Sequence, residues 1–436
     1  MHRLIHVATI QKQSSGDAGN SAFKREQNEQ MISPNFAMIL LLYAVLSCFP
    51  FVCASLPSLN DTSIHTLDSS TCSPCNARTL WDILWSCGIT LFACTWTVVH
   101  PNIPGVDDGV VRNFFFRLGL MVMTLFIPEF TITWATWQFF SAQKAAKDFN
   151  GDIPNSSRSS SARWTLVHGF FAMMGGFVLY VDGEPRARLQ PSELVRFVRE
   201  GSVEMPTITE AEIEDRSKGD GISKCVSILQ LVWFLIQLIA RYAQGLPVTL
   251  LEIDTLGVTT LACIVYGFWW KKPKDIGRPY IVYWKSGVTP PRGSLAKEYR
   301  PGKRRSYVSP SMGIDSLDNG PVNFTAITSC VSGMIFGGIH CLGWNYLFQA
   351  HKEQILWHVA STGMACSPLI LAVSSLMVDF TQIPDRYINS LTIISGCIYV
   401  FSRITIFVLM SLSLQSLPTS VYDTVAWTKF IPHVTS

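Results

Sequence analysis

In the stretch MTLFIPEFTITWATW, residues 123 to 137, a proline and a carboxylate, Pro128 and Glu129, stand among apolar, aromatic and threonine residues. Ionising an acid inside a bilayer is costly unless a partner or water meets it. Proline withholds a backbone donor and bends a helix, freeing a carbonyl about one turn earlier. The two residues together predict a polar notch. Arg403, in YVFSRITIFV, is the matching counter-charge, at a similar depth if both helices cross the bilayer. Such a pair is either structural or a working group, a proton relay or a substrate counter-charge.

Three further constellations carry polar chemistry. Gln230, Gln237, Arg241 and Gln244 recur at spacings of seven, four and three, which puts all four on one helix face looking into a bundle. Amides so placed hold helices together or line a pathway. Glu252 follows Thr249 by three residues, the spacing of a capping box, and lies across a tight turn from Arg241, an expected ion-pair partner. His168, His340, His351, Glu353 and His358 fall near the luminal ends of their segments, and they meet there if those segments are neighbours.

The spacings exclude several classes of chemistry. Among the histidines of the apolar segments there is no HxxxH or HExxH spacing, so no metal site is expected from them, and the cofactor stays unknown. The chain carries no phosphate-binding loop, no GxGxxG after a strand, no nucleophile elbow and no paired Asp-rich motif. Basic residues sit beside apolar runs without a stripe of stacking aromatics, which argues against nucleic acid.

The elements that must position these groups are membrane spans. Of 436 residues 48% are hydrophobic and only 15% charged, with 13 Trp, a membrane composition whose partner is the lipid bilayer. Apolar stretches of about 18 residues or more predict an all-α polytopic transmembrane bundle. Its eight expected spans lie near 80–99, 117–140, 164–181, 222–241, 248–270, 324–347, 355–378 and 388–413. Trp81, Trp85, Trp134, Trp137, Trp269 and Trp270 stand where interfacial belts form. Gly169, Ala172 and Gly176, and again Ser329, Gly333 and Gly337, offer small-residue faces for close helix approach.

Residues 31–54 read as a signal peptide or a signal anchor, behind a polar extension over 1–30, with Met31 an alternative start. Either option sends residue 55 into the lumen. There a segment over 55–79 holds a glycosylation acceptor at Asn60 and a Cys72–Cys75 pair expected as a disulfide. Lys and Arg counts then make the loops near 182–221 and 271–322 cytosolic and the tail over 414–436 luminal. A second acceptor, Asn155, falls on the luminal side, in a 141–163 loop whose Lys144, Lys147, Arg158 and Arg163 make it oddly basic. The 182–221 loop reads as one or two short amphipathic helices in a solvated linker, and 271–322 as flexible.

The stretches RTLWDILWSC, TWTVVHPNIPG, HGFFAMMGGF, EIEDRSKGD, LPVTLLEIDTL, FWWKKPKD, FGGIHCLGWN and WTKFIPH resemble, in this order, a large group of multi-spanning membrane proteins of fungi. The likeness runs from about residue 72 to the end, implies a secretory-pathway or plasma-membrane setting, and brings no activity with it.

Three functions stay open on the sequence. The leading one is a non-enzymatic membrane protein that binds or passes a small solute, with Glu129 and Arg403 lining the interior and the histidines forming a vestibule. The others are a bundle enzyme acting on a lipophilic metabolite, with Glu129 or a histidine as general acid or base, and a receptor.

Overall fold

The computed structural model describes residues 77–104, 109–152, 163–217, 220–285, 322–380 and 385–426. The expected leader, Asn60, Cys72, Cys75, Asn155 and most of the 271–322 loop lie outside them. Five described helices are long and apolar enough to cross a membrane, six if one bent pair counts as a single span.

The first helix, α1 (Leu80–Val98), starts at a capping box in which Thr79 and Asp82 exchange hydrogen bonds. Its Trp, Thr and Ser content keeps it out of those five, although it packs along two of them. A second correction concerns 117–140, which is not one continuous helix but part of a bent pair, a broken span or a re-entrant loop. Helix α2 (Val110–Phe126) and helix α3 (Pro128–Asp152) are separate and bent by 113°. Ile127 breaks the helix at φ −138°, ψ 64°, and Pro128, lacking an amide hydrogen, starts the next one. Thr124 and Thr131 close the bend through their hydroxyls at 3.1 Å.

The 164–181 stretch is not a span, and the chain is not all-α. Helix α4 (Leu166–Met173) lasts only eight residues, and strand β1 (Phe177–Val181) follows. Asp182 and Gly183, at φ 54° and 84°, then turn the chain into strand β2 (Glu184–Arg188). Two successive positive φ values build the tight hairpin turn that Asp-Gly favours. Strand β3 (Tyr280–Tyr283) pairs with β1 in parallel, in the order β2-β1-β3.

Helices α5 (Pro191–Arg199) and α6 (Glu210–Asp215) belong to the same layer. The sequence places short helices there correctly, but they are no solvated linker. Leu194, Val195, Phe197 and Ile213 are buried with Phe149, Trp164, Phe171, Phe177 and Val282 in one core. Phe149 stacks on Trp164 at 3.8 Å, and Trp164 on Phe177 at 5.5 Å. At Gly169 a Cβ would lie 2.1 Å from the Ala142 carbonyl oxygen, so α4 crosses α3 where only glycine fits.

Between β2 and β3 the chain also runs through α7 (Asp220–Ala243) and α8 (Leu250–Trp269), both packed against α1. The β1–β3 pairing brings the chain back to the sheet after them. Ser86 bonds Gln237, Gln230 bonds Thr90, and Ser227 bonds Thr97, a ladder that sets α1 antiparallel to α7. The remaining helices are α9 (Val322–His340), α10 (His351–Phe380) and α11 (Asp385–Ser413). Gly337 lets α9 and α10 touch backbone to backbone, since a Cβ there would meet Ala365 N at 2.4 Å.

Outward faces are apolar. Leu229, Trp233 and Ile239 on α7 and Ile393, Phe401 and Ile404 on α11 are exposed, as are Val110 and Phe115 on α2. Apolar exposure of this extent is what lipid covers.

Candidate functional site

Helix α3 begins at the bend with Glu129, which is 7% exposed. From α11, one turn apart, Tyr399 donates to Glu129 Oε1 at 2.5 Å and Arg403 Nη1 donates to the same oxygen at 3.0 Å. Arg403 Nε also takes the Phe126 carbonyl at 2.8 Å. The bend thus frees a carbonyl nearer than the full turn expected from proline, and the arginine satisfies it. The guanidinium lies 4.1 Å above the Phe336 ring, a cation–π contact from α9.

This arrangement leaves one atom over. Glu129 Oε2 is buried and has no hydrogen-bond partner among the described residues. A carboxylate accepts at both oxygens, so Oε2 is where a proton or a donor from a bound solute would attach. Gly333 admits the neighbouring side chains: a Cβ there would meet Pro368 Cγ at 2.8 Å and Tyr399 Cε2 at 3.6 Å. Ser367, next to that proline, has a buried hydroxyl without a hydrogen-bond partner among the described residues and accepts at its carbonyl from Ser395. Ser395, Tyr399 and Arg403 form one stripe of α11 at intervals of four.

The helix-facing amides are engaged between elements. Gln230 and Gln237 reach α1, and Gln244 exchanges two hydrogen bonds with the Ala426 backbone. Arg241 corrects the expected pairing. Its guanidinium donates to the carbonyls of Pro247, Val421 and Asp423, while Glu252 takes Arg78 at 2.6 Å. Glu252 does form the capping box with Thr249. Residues 417–426, part of the expected tail, are thereby tied to both ends of the α7–α8 turn.

The five-member histidine and carboxylate group divides. His168 belongs to the sheet layer: its Nδ1 accepts from the Thr165 amide at 3.1 Å and its Nε2 donates to the Ile208 carbonyl at 3.0 Å. Burial holds its pKa below the usual 6.5. His340, His351, Glu353 and His358 sit around the turn between α9 and α10. There His351 meets Gln354 at 3.4 Å, and His358 bonds the Trp344 carbonyl while stacking on its ring at 3.9 Å. His340 is fully buried. Its Nδ1 donates to the Phe336 carbonyl at 2.8 Å, its Nε2 lies 3.2 Å from Asp254 Oδ1, and the Trp357 indole donates to its carbonyl.

Sequence reasoning missed Asp254, Tyr399 and the lysines after α8. Read as loop cations, Lys272 and Lys274 are buried. Lys272 Nζ donates to the His100 carbonyl at 2.5 Å and to Gln138 Oε1 at 2.9 Å, over the rings of Trp269 and Trp134. Lys274 Nζ takes the Thr97 carbonyl at 2.8 Å. Helix α1 has no basic residue in its last turn; Lys274 bonds a carbonyl of that turn, and Lys272 the carbonyl of His100 just past the C-cap. Burial pushes the Lys272 ammonium well below the usual lysine range. The one legible signal was the double Trp ahead of the lysines.

These features define a predominantly helical protein with five or six candidate membrane spans and a small sheet layer at one end. The chain belongs to a family of unknown function, DUF8562, whose model matches residues 45–290. No curated protein and no solved structure matches it. The matched region ends just past β3, so Glu129 and Lys272 fall inside it while His340, Tyr399 and Arg403 lie beyond.

Proposed function

We propose that this is a multi-pass membrane protein of the secretory pathway or plasma membrane, and that its bundle interior binds or passes a small donor-bearing solute at Glu129. The observation that carries the reading is the unpartnered, buried Oε2 of an acid whose other oxygen is already held by Tyr399 and Arg403. Irregular backbone at membrane depth is tolerated where it lines a protein interior or a cavity, and binding sites are often built at such breaks.

The α2–α3 pair enters this proposal as a re-entrant hairpin. Ile103, ahead of α2, and Phe149, near the end of α3, belong to the same sheet-layer core, so both arms return to one side. Helix α1 crosses with α7 and α8, along which it is laddered, giving six crossings with α9, α10 and α11. Lys144, Lys147, Arg186, Arg196, Arg199 and Lys271 then share the sheet side, which the positive-inside rule makes cytosolic. The basic 141–163 segment, anomalous for a luminal loop, is ordinary there.

The test is thermal unfolding of purified protein in a panel of small amines, polyols and amino acids, with dicarboxylates as controls. A member of the first three groups is expected to raise the melting temperature of the wild type and not of Glu129→Gln. If none does, and Glu129→Gln only lowers the intrinsic melting temperature, Glu129 is structural and the reading fails.

A further inference from the structure

The hydrogen-bond geometry at His340 fixes a proton count. Phe336 offers only a carbonyl oxygen to Nδ1, so Nδ1 carries hydrogen and donates. The other ring nitrogen, Nε2, then faces Asp254 Oδ1 at 3.2 Å. A hydrogen bond between a bare imidazole nitrogen and a carboxylate needs one more proton, held by the pair as a unit. No other carboxylate bonds His340 among the described residues. Asp254 reaches it from α8 and Trp357 from α10, while Arg403 of α11 stands behind Phe336.

Phe336 links this pair to the Glu129 site. Its ring lies 4.5 Å from the His340 ring and 4.1 Å from the Arg403 guanidinium, which holds Glu129. The ring is 1% exposed. Two polar stations in an apolar bundle thus share one aromatic side chain.

We infer that His340–Asp254 is a second proton-binding site in series with Glu129, and that Phe336 is the barrier between them. It rests on Glu129 being a working group and adds the coupling ion. In the relay step the N–H or O–H bond within the pair breaks and an O–H bond forms at Glu129 Oε2. The pair is left one charge more negative and takes its next proton from the side of the α9–α10 turn. Water reaches the gap only when the ring rotates out.

The full chain is reconstituted in liposomes enclosing a pH-sensitive dye, and proton entry is driven by a potassium diffusion potential with valinomycin. Phe336→Ala, and Phe336→Leu in case the first fails to fold, are expected to raise proton entry by about tenfold over the wild type. Adding Asp254→Asn is expected to return it to the wild-type rate. Entry that stays raised in the Asp254→Asn double variant overturns the inference, as does unchanged entry in a reconstituted Phe336 variant. Adding Glu129→Gln separates the two claims: entry that Asp254→Asn stops and Glu129→Gln does not removes Glu129 from the path and keeps His340–Asp254 as a proton site.

Discussion

Arg403 grips the α2–α3 bend on both sides of the break, bonding the Phe126 carbonyl at 2.8 Å before it and Glu129 Oε1 at 3.0 Å after it. Replacing Arg403 by Ala leaves a buried carboxylate without its cation and a carbonyl without its donor. The expected loss is about 3 kcal/mol, read as a drop in melting temperature in detergent. Combined with Glu129→Gln the loss should be smaller than the two single losses together, because the orphaned charge is gone. Strict additivity would show that the two side chains do not act as a pair.

Neighbouring lysines should behave oppositely. Lys272→Met strands the His100 carbonyl and the Gln138 amide oxygen in a buried site, costing about 2 kcal/mol or more. Lys271 is a third exposed and meets Glu210 at 3.4 Å, so Lys271→Met should change stability by less than about 1 kcal/mol. Equal melting temperatures for the two variants would contradict a structural role for the buried Lys272 ammonium.

His168 gives the sheet layer a sensitivity to acid. Its folded pKa lies below 6.5, so from about that pH downward the unfolded chain binds a proton that the folded one refuses. Stability from this residue is complete above that pH and declines as pH falls toward the folded value. His168→Gln keeps an N3 side chain for the Thr165 cap and removes the titration. Protection in β1, the exchange rate divided into the intrinsic rate at each pH, should therefore fall between pH 7 and pH 5 in the wild type more than in the variant. An identical fall in both would discount His168.

The six-crossing arrangement predicts sidedness. In sealed microsomes an impermeant maleimide should label Glu184→Cys, at the exposed start of β2, without detergent. Gln349→Cys, exposed in the α9–α10 turn, should be labelled only after permeabilisation. Fragment-ion mass spectrometry localises the label to residue 184 or 349 and separates it from native cysteines, including Cys330 and Cys341, which share the tryptic peptide of residue 349. The reverse pattern would invert the orientation, and labelling of both in sealed vesicles would remove the crossings between them.

The amino-acid sequence by itself determined what lipid and local chemistry impose. Long apolar runs set α7, α8, α9, α10 and α11, Thr249 and Glu252 set a helix start, and Pro128 set a break. Rarity of charge in those runs singled out Glu129 and Arg403. The error over 164–181 has a physical cause: a buried short helix followed by a buried strand is as continuously apolar as a span, and only the Asp182-Gly183 turn betrays the hairpin. Tertiary structure alone decided the partners. Lys272 is buried where it meets the His100 carbonyl just past α1, 172 residues away along the chain. Arg78 rather than Arg241 reaches Glu252 because Arg241 is taken up by the carbonyls of Pro247, Val421 and Asp423, and Tyr399 closes on Glu129 where the crossing at Gly333 brings its ring close. Spacing along a helix names a face; it does not name what the face will touch.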